Sequence, residues 1–199
     1  MPAEGKSPEG HSFEIRSFGR RRGRKLSPRQ QRLFSGLLRA VEIDLAVASP
    51  VSATALFSDA RIAATSHEPD AASLTTVYGA LGKQWTHPVR EVWLEIGFGG
   101  GEHLVWQAQH NPDVGFIGSE PFEEGVVKVL TAIDDKSLRN ILVHPDDVRP
   151  LLRWLPEASL SRVFMLFPDP WPKKRHQKRR LFSPELLRLL ARAMRPQSE

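Results

Sequence analysis

The chain of 199 residues contains no cysteine. That excludes disulfides, thiolate zinc sites and cysteine nucleophiles, and it suits the reducing cytoplasm, where the protein is expected to work. There is also no run of about 18 apolar residues, so no membrane-spanning helix is expected. The opening residues Met1-Pro2-Ala3-Glu4-Gly5-Lys6 lack the apolar stretch of a signal peptide. The seven histidines form no H-x-x-x-H or H-E-x-x-H pair; they read as solvated or core side chains, and no metal is expected. Ser119 and Ser183 lack a nucleophile-elbow context, which leaves no hydrolase triad.

What the chain does have is clustered positive charge. The net charge is +5, and most of the information is in its distribution. One cluster is Gly19-Arg20-Arg21-Arg22-Gly23-Arg24-Lys25, and another runs from Lys173 to Arg180. Such clusters attract phosphate backbones and give salt-dependent affinity, although a solvated tail uses the same residues. Residues 1–28, rich in Gly, Pro, Ser and Arg, read as a flexible basic arm.

Residues 29–90 form a poorly determined helical extension. Leu33, Leu37, Leu38, Val41 and Leu45 recur at near-helical spacing, which predicts a helix over 29–47. Residues 48–71 give little signal, and 72–85 suit another helix. From residue 91 the pattern sharpens. Strands are expected at 92–96, 115–120, 140–143 and 162–166. They alternate with helices at 101–110, 122–133, 148–155 and 184–194. That alternation predicts an α/β fold with a doubly wound, mainly parallel sheet and right-handed crossovers over 91–199.

Two motifs carry chemistry. The first is Leu94-Glu95-Ile96-Gly97-Phe98-Gly99-Gly100-Gly101, directly after an apolar run. A dinucleotide fingerprint needs G-x-G-x-x-G, but position 102 is Glu. The glycines at 97, 99 and 101 fit G-x-G-x-G instead. Glu95 would repel a pyrophosphate there and favour an ammonium group. S-adenosylmethionine has an ammonium, a sulfonium and no phosphate. Glu120, at the end of the second strand, suits both ribose hydroxyls. Asp146, after the third strand, is placed for the adenine amino group. Each has a plainer reading: a tight strand-to-helix turn, an exposed strand-end acid, and a turn or helix cap.

The second motif is Phe167-Pro168-Asp169-Pro170-Trp171, at the expected end of the fourth strand. Ligands bind along that edge of open parallel sheets. Prolines on both sides restrict the backbone around Asp169, which would hold its carboxylate in one place. Trp171 would cover a base. A rigid surface turn is the plainer reading.

Together these strings resemble the bacterial tRNA (guanine-N7-)-methyltransferase family, over roughly residues 91–196 plus the Gly19–Leu26 segment. The resemblance implies a class I methyltransferase (Rossmann-like) fold, S-adenosylmethionine as cofactor, and tRNA methylated on a variable-loop guanine. It implies cofactor contacts from Glu95, Glu120 and Asp146, with the glycines at 97, 99 and 101 beside them. Asp169 would lie at the catalytic centre and near the cofactor. Lys173, with Arg175, His176, Lys178 and Arg179, would face the RNA. A monomer or weak dimer is expected. In that family the chain continues past the Met194-Arg195-Pro196 region into a strand ending in Thr-Asp and a Thr-x-x-Glu-type motif. Those residues are absent from this sequence, so the outer strands of the sheet, and any cover for the edge of the fourth, are expected to be missing. Two rival readings are a non-catalytic RNA-binding protein of the same outline and an NAD-linked oxidoreductase; Glu102 argues against the second.

Overall fold

A computed structural model describes residues 23–46, 48–50, 52–57, 89–166, 168, 172, 173, 175 and 180–199. Among these, four parallel strands form one sheet in the order β3-β2-β1-β4. They are β1 (Glu91–Ile96), β2 (Val114–Ser119), β3 (Ile141–His144) and β4 (Arg162–Phe164). The crossovers between them carry α3 (Glu102–His110), α4 (Glu123–Lys136) and α5 (Val148–Trp154), and α6 (Pro184–Ala193) follows β4. The alternation expected from residue 91 is therefore present, with β4 ending at Phe164 rather than 166 and α4 reaching Lys136 rather than 133.

Period-two alternation divides the sheet's side chains between two cores. Val92, Leu94 and Ile96 of β1 join Ile117, Leu142, Leu151, Leu152, Leu186 and Leu190 on the face covered by α5 and α6. Trp93, Phe116, Ile141 and Val143 join Leu104, Val126, Val129, Leu130 and Ile133 on the opposite face, under α3 and α4. Trp93 anchors that second face. Its ring meets Phe116 edge-on at 5.4 Å and Phe164 at 5.8 Å, a geometry that aromatic quadrupoles favour.

The helix expected over 29–47 is two helices. The first is α1 (Pro28–Ser35), which Ser27 starts by accepting from the Gln30 N–H while the Gln30 side chain accepts from the Ser27 N–H. Its partner α2 (Leu37–Val41) follows a break at Gly36, where backbone freedom is greatest. Leu33, Leu37 and Leu38 still fall on one face and enter the α3/α4 core. Beyond α2, Glu42 bridges to Val143 and the Ile43 N–H donates to the Val143 carbonyl at 3.0 Å, so this segment lines the outer side of β3. A 3-10 turn, Ala53–Phe57, buries Phe57 on the other face, where it fills the space beside Gly115. The helix expected over 72–85 lies outside the described residues.

The far side of β4 is not bare. Leu160 bridges to Met194, Arg195 N–H donates to the Leu160 carbonyl, and Val163 N–H donates to the Glu199 carbonyl. These bonds occupy backbone groups that an uncovered edge would leave unpaired.

One buried amide ties the layers together. The Asn140 Nδ2 donates to the carbonyls of Ala108, Asn111 and Val114 at 3.0–3.1 Å, joining the end of α3, the start of β2 and the start of β3. Asn140→Ala removes the donor these carbonyls share, leaving Asn111 only its bond from the Val114 N–H, and should lower unfolding free energy by about 1–3 kcal/mol. Urea denaturation monitored by circular dichroism measures the loss; an unchanged midpoint would show that water replaces the amide.

Candidate cofactor and active site

Parallel pairing brings Ile96, Ser119, His144 and Phe164 to one edge of the sheet. The chain leaves β1 there through the glycine loop. Gly97, Gly99 and Gly101 have φ of 70°, 55° and 79°, a left-handed region that other residues rarely adopt. At Gly97 and Gly99 an added Cβ would meet nothing within 4 Å, so the loop presents bare backbone to open space. At Gly101 the same Cβ would strike Val129 of α4.

The loop is fastened from beneath by Glu120 and Gly125. Glu120 is buried just past β2, and its carboxylate accepts from the Gly99 N–H and the Phe122 N–H, both at 2.9 Å. Gly125, in the first turn of α4, lies under the Gly99 carbonyl; a Cβ there would come within 2.1 Å of that oxygen. Gly99 is thus held through its N–H by one residue and against its carbonyl by another.

Glu95 faces the α3 side of β1 and is only 4% exposed. Its Oε2 pairs with Nδ1 of His103 at 2.7 Å, while Oε1 has no hydrogen-bond partner among the described residues. Burial pushes the Glu95 carboxyl up from the usual range, with the neighbouring Glu102 charge adding to the rise; the His103 hydrogen bond opposes both.

Asp146 sits in the half-buried turn after β3. Its side chain accepts from the Asp147 N–H at 2.8 Å, and its carbonyl accepts from the Ser119 hydroxyl at 2.9 Å. The helix cap is its neighbour: Asp147 accepts from the Arg149 N–H and pairs with the buried Arg149 guanidinium at 2.7 Å. Lys173 and Arg175 are exposed. Asp169, Trp171, His176, Lys178 and Arg179 lie outside the described residues, as does the basic cluster over 20–22.

Gly97, Gly99, Gly101, Glu95, Glu120 and Asp146 are therefore gathered along one sheet edge. Sequence reasoning missed His103 and Gly125. The signal for His103 was its position two residues into the helix that follows the loop. Gly125 offered none beyond an isolated glycine in a helical pattern.

This donor set fits S-adenosylmethionine. A buried carboxylate with one oxygen unpartnered among the described residues suits an ammonium, a bare glycine backbone admits close approach, and a fixed acceptor after β2 suits hydroxyl hydrogens. The sequence profile of a family described as "Putative methyltransferase" matches residues 89–199. Fold and loop define a class I, S-adenosylmethionine-dependent methyltransferase. The chain is 38% identical over 190 residues to the tRNA (guanine-N(7)-)-methyltransferase of Caulobacter vibrioides, covering 96% of this chain and 70% of that one. To the enzyme of the same name from Hyphomonas neptunium it is 43% identical over 186 residues, covering 92% and 69%. It belongs to the tRNA (guanine-N(7)-)-methyltransferase family. Among solved structures, the antibiotic-resistance methyltransferase Kmr is a distant likeness, 22% identical over 60% of this chain and 58% of that one, with a TM-score of 0.43.

Gly125→Ala tests the fastening of the loop. Helix propensity alone would favour alanine by about 1 kcal/mol. The 2.1 Å approach to a backbone carbonyl outweighs that gain, so the loop must move. Calorimetry should show S-adenosylmethionine binding weakened at least several-fold while the far-ultraviolet spectrum is retained.

Proposed function

We propose that this protein transfers a methyl group from S-adenosylmethionine to N7 of a guanine in the variable loop of tRNA. The observation that supports it most is the glycine loop with Glu95 and Glu120 at its base, in a chain whose relatives bear that enzyme name. Bound at this edge, the cofactor supplies a methyl group on a positively charged sulfur.

Guanine N7 has a free lone pair and loses no proton on attack, so the chain's task is mostly placement. Glu95 takes the ammonium, Glu120 the ribose hydroxyls and Asp146 the adenine amino group. The purine becomes cationic as the methyl arrives. Asp169, flanked in sequence by Pro168 and Pro170, favours that developing charge or orients the guanine N1 and N2 edge. Lys173, Arg175, His176, Lys178 and Arg179, with the N-terminal arginines, form the face for the RNA backbone. The protein acts as a monomer or weak dimer. Substrate and composition alike suit the cytoplasm; among the described residues no helix is long and apolar enough to cross a membrane.

Glu120→Ala should weaken cofactor binding by roughly 1.5–3 kcal/mol, the range for hydrogen bonds to a charged group. Unchanged affinity in calorimetry would remove Glu120 from the site. Asp169→Ala should cut methyl transfer by about 100-fold or more, as for loss of one preorganised electrostatic group, with cofactor affinity within a few-fold. The assay is transfer of labelled methyl to unmodified tRNA. Cofactor and tRNA binding without any transfer by the unsubstituted chain would favour the RNA-binding reading instead.

Neutralising Lys173, Arg175, Lys178 and Arg179 together should weaken tRNA binding broadly and flatten its salt dependence. Filter binding across a salt series measures the slope. An unchanged slope would make these residues solubilising surface.

A further inference from the structure

His103 and Gln107 of α3 and its C-cap residue Asn111 form an ordered set of side chains spaced one helical turn apart. Asn111 Nδ2 donates to Gln107 Oε1 at 3.2 Å. That fixes the Gln107 amide with its nitrogen toward the histidine, and Gln107 Nε2 donates to His103 Nε2 at 3.1 Å. With Nε2 an acceptor, the ring proton is on Nδ1, which donates to Glu95 Oε2 at 2.7 Å. The ring is also held edge-on against Phe164 of β4, 4.7 Å between centroids, so it can neither rotate nor withdraw easily.

An ionised carboxylate this deeply buried is costly unless it is hydrogen-bonded. The chain from Asn111 to His103 supplies that bond to one oxygen and leaves the other, Oε1, without a partner among the described residues. An N–H donor on Oε2 also stops the carboxylate from turning that oxygen toward a ligand.

We propose that His103, set in its Nδ1–H form by Gln107 and Asn111, is a positioning residue that keeps Glu95 ionised with Oε1 left to accept the α-ammonium of S-adenosylmethionine. The inference rests on the assignment of Glu95 to that ammonium. Its consequence is selective. His103 matters for ligands carrying the amino-acid moiety and not for the adenosine part.

It also fixes a sign for pH. Among the described residues, the charged groups acting on Glu95 are His103 and Glu102 of α3; the neighbours Gly118 of β2 and Phe164 of β4 are uncharged. Glu95 is raised by burial and by Glu102, so ammonium binding is present above its raised value and lost as pH falls through it. Removing the His103 hydrogen bond takes away what opposes the rise, and the acid limb must move to higher pH.

The experiment is calorimetry of the whole chain with two probes, S-adenosylhomocysteine and 5′-methylthioadenosine, the latter lacking the amino-acid moiety. His103→Ala should weaken the first about tenfold and the second less than about twofold, and shift the acid limb of S-adenosylhomocysteine binding upward. His103→Asn, which presents an N–H near the Nδ1 position, should recover most of the loss. Equal weakening of both probes, or an unmoved acid limb, would overturn the inference and leave His103 as packing. Glu95→Gln separates the layers. Unchanged S-adenosylhomocysteine affinity in that variant would overturn the ammonium assignment itself. Weakening by Glu95→Gln with wild-type affinity in His103→Ala would overturn the inference alone.

Discussion

The turn at Gly99 is the constraint on which the site depends. Its left-handed backbone lets the chain leave β1 and start α3 without a side chain over the sheet edge. The N–H is bonded by Glu120 and the carbonyl abuts Gly125, so two elements distant in sequence must agree on where one peptide lies. Shift that peptide and Glu120 loses one of its two backbone donors. The start of α3 then moves too, and with it the ring that bonds Glu95. The cofactor-side residues are thus one mechanical unit.

Much of this was legible in the sequence because its determinants are local. A short apolar run ended by glycines at 97, 99 and 101 specifies a buried parallel strand and a turn, whatever surrounds them. Carboxylates at 95 and 120 are strand-end positions, and strand ends of a parallel sheet share an edge. The break at Gly36 was less visible, since Leu33, Leu37, Leu38 and Val41 keep helical spacing across it. Their contact with the core survives the break, so apolar periodicity reports the buried face rather than helix continuity.

What was not legible depends on contacts between segments. Gly125 is an ordinary helical glycine until the Gly99 carbonyl is placed above it. His103 looked like one more solvated or core histidine, because its partners are a strand residue eight positions earlier and a helix residue one turn later. Asn140 read as the start of a strand, yet its amide serves three carbonyls contributed by α3, the following loop and β2. No spacing rule announces such roles, since each depends on which backbone groups the tertiary fold leaves short of a partner.

The carboxylates also differ in how they are made usable. Glu120 is held by two backbone N–H groups, donors that cannot themselves titrate. Glu95 relies on a side-chain donor, so its state depends on the order of a three-residue network in α3. Asp147, next to the third carboxylate, is paired with the guanidinium of Arg149, whose other arm reaches the Leu181 carbonyl. Leu181 directly follows the Lys173–Arg180 stretch. The turn after β3 is therefore linked to the residue that follows the segment proposed to meet RNA, while the Phe164 ring links His103 to β4. Arg149 and His103 are thus both braced by residues of the C-terminal part of the sheet and its following loop.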